Sequence, residues 1–531
     1  MDRRVGGQGS GRAARPAGLA ALVGAIALGL GVATAPLSLS ASLVIGAVAV
    51  VLALLAPIWA LYLLVLSVPV QELWLLPGGL TVTQVALLLA TASLALHLLA
   101  FPERPLILGP LLVPLAVFVW TLGLSAVFTP FSRAEGLRET ARWSTVLLGY
   151  VLALRALGGD GWVAPRGEQS FTPALGRAVG GESGPGPRRG PSWRVWGLLV
   201  CLLAAPAATG ALGLVQFALG LGPESFGIGD GRVRAYGTIG QPNSFAGYMN
   251  QAWPLAVGLA LFALVGLRQG APRRPALLTL AFAGVAALLT GGALIASFSR
   301  GGWIGAVAGM LALVSAAFVA LPADARALMR RFLVALAAVC LALLALGGGG
   351  LLPRAIEQRA VSLVRNLRLF DVRGVAVTPE NFAVVERMAH LQAGWNMFRS
   401  RPLLGVGPGN YSIAYERTPA PDTPPFSVRP WYQSRGHAHN YYLHIAAEAG
   451  VVGLAAYLLL IGAVMAQAVR ALRAARDWLW SGVAVGGAGV VVAVAAHNLF
   501  ENLHVLNMGL HLGAIWAVLH TCEASLPSDP L

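Results

Sequence analysis

The chain alternates long apolar runs with short polar connections. Apolar runs lie at roughly residues 17–35, 38–56, 57–72, 82–100, 106–127, 140–156, 194–220, 241–267, 275–298, 301–321, 330–350, 441–468, 479–499 and 507–522. Most are close to the roughly 20 residues that a helix needs to cross the hydrocarbon core of a bilayer. Pro57 interrupts the run from 38 to 72, which predicts either a short hairpin or one long helix. The expected fold is all-α, a polytopic transmembrane helix bundle of about 12–14 spans by the length rule, with a long extracytoplasmic loop between late helices.

Two polar stretches divide this pattern. The first, Gly158–Ser192, is rich in Gly, Pro and Arg and lacks periodicity, so it reads as a disordered linker without chemistry. The second runs from about Leu351 to Ala438 and holds a helix-like piece, Glu380–Ser400, and a Pro-rich piece, Thr418–Trp431. The expected organisation is N-terminal membrane helices over 1–157 and a linker over 158–193. Core membrane helices follow over 194–350, then an external loop over 351–440, the last core helices over 441–522 and a tail over 523–531.

Composition supports a membrane protein. Of 531 residues, 57% are hydrophobic and only 11% charged, with a mean hydropathy of +0.71; a soluble surface needs more charge. The net charge of +15 is carried by Arg alone, with no Lys in the chain. These arginines are spread over loops between spans rather than gathered on one domain, which argues against nucleic acid as a partner. Arg3, Arg4, Arg12 and Arg15, then Arg268, Arg273 and Arg274, then Arg326, Arg330 and Arg331, then Arg470, Arg473 and Arg476 all fall on one side if there are fourteen spans. Positive-inside bias makes that side the cytoplasm, with both termini and the linker there and 351–438 outside. The basic start and the Ala33-Thr34-Ala35 stretch mimic a signal peptide, but the spans that follow favour an uncleaved first helix. Cys201, Cys340 and Cys522 lie far apart in or beside apolar runs and suggest neither a zinc site nor a disulfide framework.

Three segments at outer helix starts carry candidate chemistry: Arg232 to Asn243, Ser297 to Trp303, and His437 to Asn440. A helix start offers free backbone N–H groups and partial positive charge. Pro242 and Asn243 suit such a start, and Ser299 suits an N-cap. Arg234 and Arg300 add full positive charge, making an anion site suited to a diphosphate at the membrane surface. The bland alternative is that these arginines snorkel to the interface. Positive-inside bias disfavours arginine in short outer loops, and the small neighbouring residues let a ligand approach the backbone. His439 is expected to be a neutral imidazole able to take a proton, because the helix dipole disfavours its charged form. His437 is its nearby competitor, and helix capping is the bland role for either. No DxD, HExxH, P-loop or GxSxG is present, so no metal or cofactor is expected. His497, Glu501, His504 and His511 gather near a second outer turn and read as a hydrogen-bonded cluster rather than a metal site.

These residues resemble the O-antigen ligase and polymerase family. His439-Asn440, nine residues, then Gly450-x-x-Gly453 fits that family's histidine signature. Arg401 to Asn410 resembles its glycine-rich segment, Arg234 to Asn243 its Arg-x-x-Gly…Pro-Asn segment, and Ser299-Arg300-Gly301 its Ser-Arg-Gly segment. The resemblance spans about residues 200–515, in the family's order. It implies a metal-independent, inverting glycosyl transfer in cell-surface polysaccharide (lipopolysaccharide) biosynthesis, on the outer face of a bacterial inner membrane. The donor would be a glycan on undecaprenyl diphosphate; the acceptor would be lipid A core, another glycan or a protein. Arg234 and Arg300 would hold the diphosphate and His439 would activate the acceptor hydroxyl, supported by Asn243, Ser299, Asn440, Gly450 and Gly453. The family pattern often continues with Thr where this chain has Leu454, which leaves ligase, polymerase and protein glycosyltransferase all open. The rival readings are a multi-pass transporter, as in relatives described as bicarbonate transporters, and a non-catalytic cell-envelope assembly protein. A transporter should place ionisable residues at mid-span, whereas the polar sites here crowd the ends of spans.

Overall fold

The computed structural model describes residues 37–73, 79–102, 108–158, 192–229, 231–327, 329–331, 334, 370–378, 381–417, 426–431 and 433–524. The spans expected at 17–35 and 330–350 and the linker 159–191 lie outside them, as does 418–425 of the Pro-rich piece. The described chain is a bundle of helices: α1 (Leu37–Leu55), α2 (Pro57–Ser67), α3 (Val82–Ala100), α4 (Leu112–Val127), α5 (Arg133–Leu157), α6 (Trp193–Leu219), α7 (Pro242–Arg268), α8 (Arg273–Ala296), α9 (Arg300–Ala320), α10 (Phe382–Ser400), α11 (Tyr411–Glu416), α12 (Tyr441–Ala474), α13 (Trp478–His497) and α14 (Met508–Ala524). A two-stranded hairpin, β1 (Gly227–Gly229) and β2 (Arg232–Val233), precedes α7.

Seven of the described helices are long and apolar enough to cross a membrane: α3, α6, α7, α8, α9, α12 and α13. Shorter apolar helices occur in α1, α2 and α4. The run from 38 to 72 breaks at Ala56, whose extended backbone precedes Pro57 at the first turn of α2, and α1 packs against α2. α5 starts earlier than the apolar run at 140–156, because Ser132 caps it by accepting the Glu135 N–H. α14 closes the bundle against α5.

Glycine sets how closely the central helices approach. A Cβ at Gly258 of α7 would meet the Gly486 nitrogen at 2.6 Å and the Gly482 carbonyl oxygen at 2.7 Å, both on α13. Gly309 of α9 lies equally close to Gly489 and Ala493 of α13. Without a hydrophobic drive between helices in lipid, close backbone packing of small residues holds such elements together. α7, α9 and α13 thus form a tight centre, and their neighbouring ends carry the candidate site. Large side chains on α8 and α9, such as Leu278, Leu288, Leu311 and Val319, are exposed and suit contact with lipid.

Candidate active site

The start of α12 is where the sequence signature becomes geometry. Asn440 is its N-cap, accepting the Leu443 N–H through Oδ1 at 2.9 Å. His439, one residue earlier, takes a left-handed backbone (φ 55°) that a side-chain-bearing residue rarely adopts. Its backbone N–H donates to Nδ1 of His437 at 3.1 Å. His437 therefore carries its proton on Nε2, which faces Glu501 Oε1 at 3.1 Å. His437 thus holds the turn that carries His439.

The signature glycines serve a second construction. α12 is broken at Gly450 (φ 67°, ψ −166°), and the loop Arg401–Asn410 threads the break. Val406 N–H donates to the Ala447 carbonyl at 2.9 Å and Gly407 N–H to that of Glu448 at 2.8 Å. In return, Val451 N–H donates to the Pro402 carbonyl at 2.7 Å and Val452 N–H to that of Leu403 at 3.3 Å. The break would otherwise strand these groups inside the bundle. The buried Glu448 carboxylate accepts the backbone N–H of Gly409 and of Tyr411, each at 2.9 Å, closing the loop onto the helix. Gly405, Gly407 and Gly409 all have positive φ, as this path requires.

Arg234 follows β2 and reaches across to the end of α8. Its Nε donates to the Ser297 carbonyl at 2.8 Å and its Nη2 to Asn243 Oδ1 at 2.7 Å. Asn243, expected both at the helix start and as a supporting residue, follows Pro242 in the first turn of α7. Its amide bridges, donating to Glu501 Oε2 at 2.7 Å. Glu501 joins the arginine side of the site to the histidine side: Oε1 faces His437, and lies 3.8 Å from Nδ1 of His439. Ser299 caps α9, accepting the Gly302 N–H at 3.2 Å, and so presents Arg300 at the first turn. Gly301 allows His497 and Phe500 to pack directly against that turn.

One small cavity of about 170 Å³ is lined by Arg234, Arg300, His439, Glu501 and Arg387 among others. It adjoins a larger groove of about 700 Å³, which shares His439, Arg387 and Phe500. Both ring nitrogens of His439 are buried without a hydrogen-bond partner. Burial is the main cause that holds its pKa well below the ordinary imidazole value, with the positive charge of Arg387 adding to it. Burial therefore favours the neutral form of this ring. Across from it, Nε2 of His390 accepts the Arg435 N–H at 2.9 Å and Nδ1 donates to the Glu386 carbonyl at 2.8 Å, so that ring is fully engaged.

The cluster expected at the second turn splits apart. His504 pairs with the Tyr457 hydroxyl at 3.2 Å and His511 with the Leu202 carbonyl at 3.0 Å, whereas His497 and Glu501 enter the cavity. Glu501 with His437 and His439 has ligand atoms within 4.8 Å of one another, a donor set that could hold a divalent cation. Arg387 was missed in the sequence. It sits inside a helix with no motif around it, and only the packing of α10 on α12 brings it to the site.

Residues 285–458 match the O-antigen ligase family. That stretch is similar to an O-antigen ligase domain. The match runs from within α8 to within α12 and includes Ser299, Arg300, His439, Gly450 and Gly453, while Arg234, Asn243 and Glu501 lie outside it. No curated protein matches the chain. The chain is thus a multi-pass helical membrane protein with a region of the O-antigen ligase type.

Proposed function

We propose that this O-antigen ligase-type protein transfers a glycan from undecaprenyl diphosphate to an acceptor hydroxyl by one inverting displacement, without a metal, on the outer face of the bacterial inner membrane. The observation behind this reading is that a single cavity is lined by Arg234, Arg300 and an imidazole, His439, with both ring nitrogens unpartnered. Arg234 and Arg300 hold the diphosphate of the donor, and the first turn of α9, with Ser299, Arg300 and Gly301, lines the same cavity. His439 takes the proton of the acceptor hydroxyl as its oxygen bonds to the anomeric carbon; the C–O bond to the diphosphate breaks, and the arginines receive the leaving charge. His437, Glu501 and Asn243 position these groups. The transfer unit is the core of residues 194–350 and 441–522 with the loop 351–440 beside it, and both chain termini are cytoplasmic.

The test is transfer from a lipid-linked glycan in reconstituted membranes with EDTA present. His439→Ala should lower the rate by about 10²–10⁴-fold, the range of general-base help, with donor binding retained. Arg234→Lys and Arg300→Lys should weaken donor binding, since lysine lacks the planar fork. Near-normal turnover in His439→Ala would leave that residue a helix-capping neighbour only. Activity that EDTA abolishes and a divalent cation restores would instead make His437, His439 and Glu501 a metal site.

A further inference from the structure

The larger groove lies beside the proposed diphosphate site and opens onto the same imidazole. One wall is a full-length face of α10, with Arg387, Leu391, Trp395 and Arg399 at steps of four. His439 and Asn440 also line it. Whatever lies along α10 therefore has one end against the ring that we assign to the acceptor proton.

The lining is amphipathic and unbalanced in charge. Arg373, Arg387 and Arg399 face one carboxylate, Asp371. That carboxylate is already engaged, 3.3 Å from the Arg373 Nε and 3.2 Å from the Gln392 amide nitrogen. Arg387 keeps a buried Nε without a hydrogen-bond partner, and Arg399 forms no ion pair among the described residues. Trp395 between them is 50% exposed. A flat half-exposed indole flanked by two guanidinium groups suits a pyranose ring that carries anionic substituents. The indole packs on the apolar face of the ring, and the guanidinium groups take carboxylate or phosphate oxygens in charge-assisted pairs.

We propose that this groove is the acceptor site and that it selects a glycan bearing carboxylate or phosphate groups. A neutral sugar or a protein hydroxyl would leave the arginines without partners. Naming the ligand an acceptor rests on the proposed function; the charge selection does not. An anionic lipid headgroup shares the chemistry, but the continuity of the groove with His439 favours the glycan.

The test measures binding to the full chain in nanodiscs of phosphatidylcholine, with no donor present. Tetragalacturonic acid and its carboxyl-reduced, neutral counterpart are the probes, with calorimetry as the readout. The acidic probe should bind at least about tenfold more tightly, the scale of one charge-assisted pair. Arg399→Ala should remove most of that preference and Arg399→Lys should keep part of it, while Trp395→Ala should weaken both probes alike. Equal affinity of the wild-type chain for the two probes would overturn the proposal, and this comparison needs no variant to fold. A preference undiminished in Arg399→Ala, or one that vanishes when phosphatidylglycerol is added to the nanodisc, would also overturn it. The last result would assign the arginines to lipid headgroups. Because no turnover is measured, failure here is separate from failure of the His439 test.

Discussion

Gly450→Ala tests whether the broken helix, rather than a short motif, supports the site. The backbone at Gly450 (φ 67°, ψ −166°) lies in a region open essentially to glycine alone. An added Cβ would also run into the Leu403 carbonyl and the Leu404 nitrogen, which are backbone atoms of the threaded loop and cannot swing aside. The dihedral strain costs about 1–3 kcal/mol. Relief by moving the loop would loosen the Val451–Pro402 and Val452–Leu403 hydrogen bonds, each worth about 1 kcal/mol. Together these give about 3–5 kcal/mol, a large share of an ordinary stability margin. The control is Gly462→Ala in the same helix, where an added Cβ meets nothing within 4 Å. Thermal unfolding in nanodiscs, read beside glycan transfer, should show a clear fall in both for Gly450→Ala and neither for Gly462→Ala. If Gly450→Ala unfolded at the wild-type temperature and turned over normally, the account of the threaded break would be wrong.

Two further outcomes follow from the site. Glu501→Gln should keep its shape but set an amide N–H against the Nε2–H of His437, lowering transfer by about 10–100-fold, the scale of a hydrogen bond to a charged group; an unchanged rate would show that Glu501 neither orients the histidines nor couples them to Asn243. The pH profile of kcat/KM should have its acid limb below the ordinary imidazole value of about 6.5, because the neutral ring is the active form and burial depresses its pKa, so protonation sets in only at lower pH. A half-maximum at or above pH 6.5 would exclude a desolvated His439 as the base.

Much of this architecture was legible in the sequence because its cause is local. A run of apolar residues near bilayer length forms a helix whatever its neighbours do, and so α3, α6, α7, α8, α9 and α13 lie close to their expected limits. Caps are local too, and Ser299 and Asn440 cap α9 and α12 through their own side chains. Arg234 and Arg300, read from two helix starts on one side, line one cavity.

What could not be read depends on contacts across hundreds of residues. The bridge from Arg234 through Asn243 to Glu501 spans 258 positions in its second step, and nothing around Glu501 announces Asn243. The two halves of the histidine signature also looked like one motif, yet they do different work. His439-Asn440 shapes the helix start, whereas Gly450 opens α12 so that the glycines of Arg401–Asn410 can fill the gap. The fixed spacing between them then has a physical reason. The break must fall far enough along α12 for the loop to satisfy the freed backbone below, yet near enough that Glu448, two residues before Gly450, can clamp Gly409 and Tyr411 and hold the first turns still. The base proposed at His439, meeting a hydroxyl in the proposed acceptor groove, would gain from a rigid mount, since small displacements at a reacting centre are costly. In this fold the helix that carries His439 is broken at Gly450 and sealed there by a loop from elsewhere in the chain.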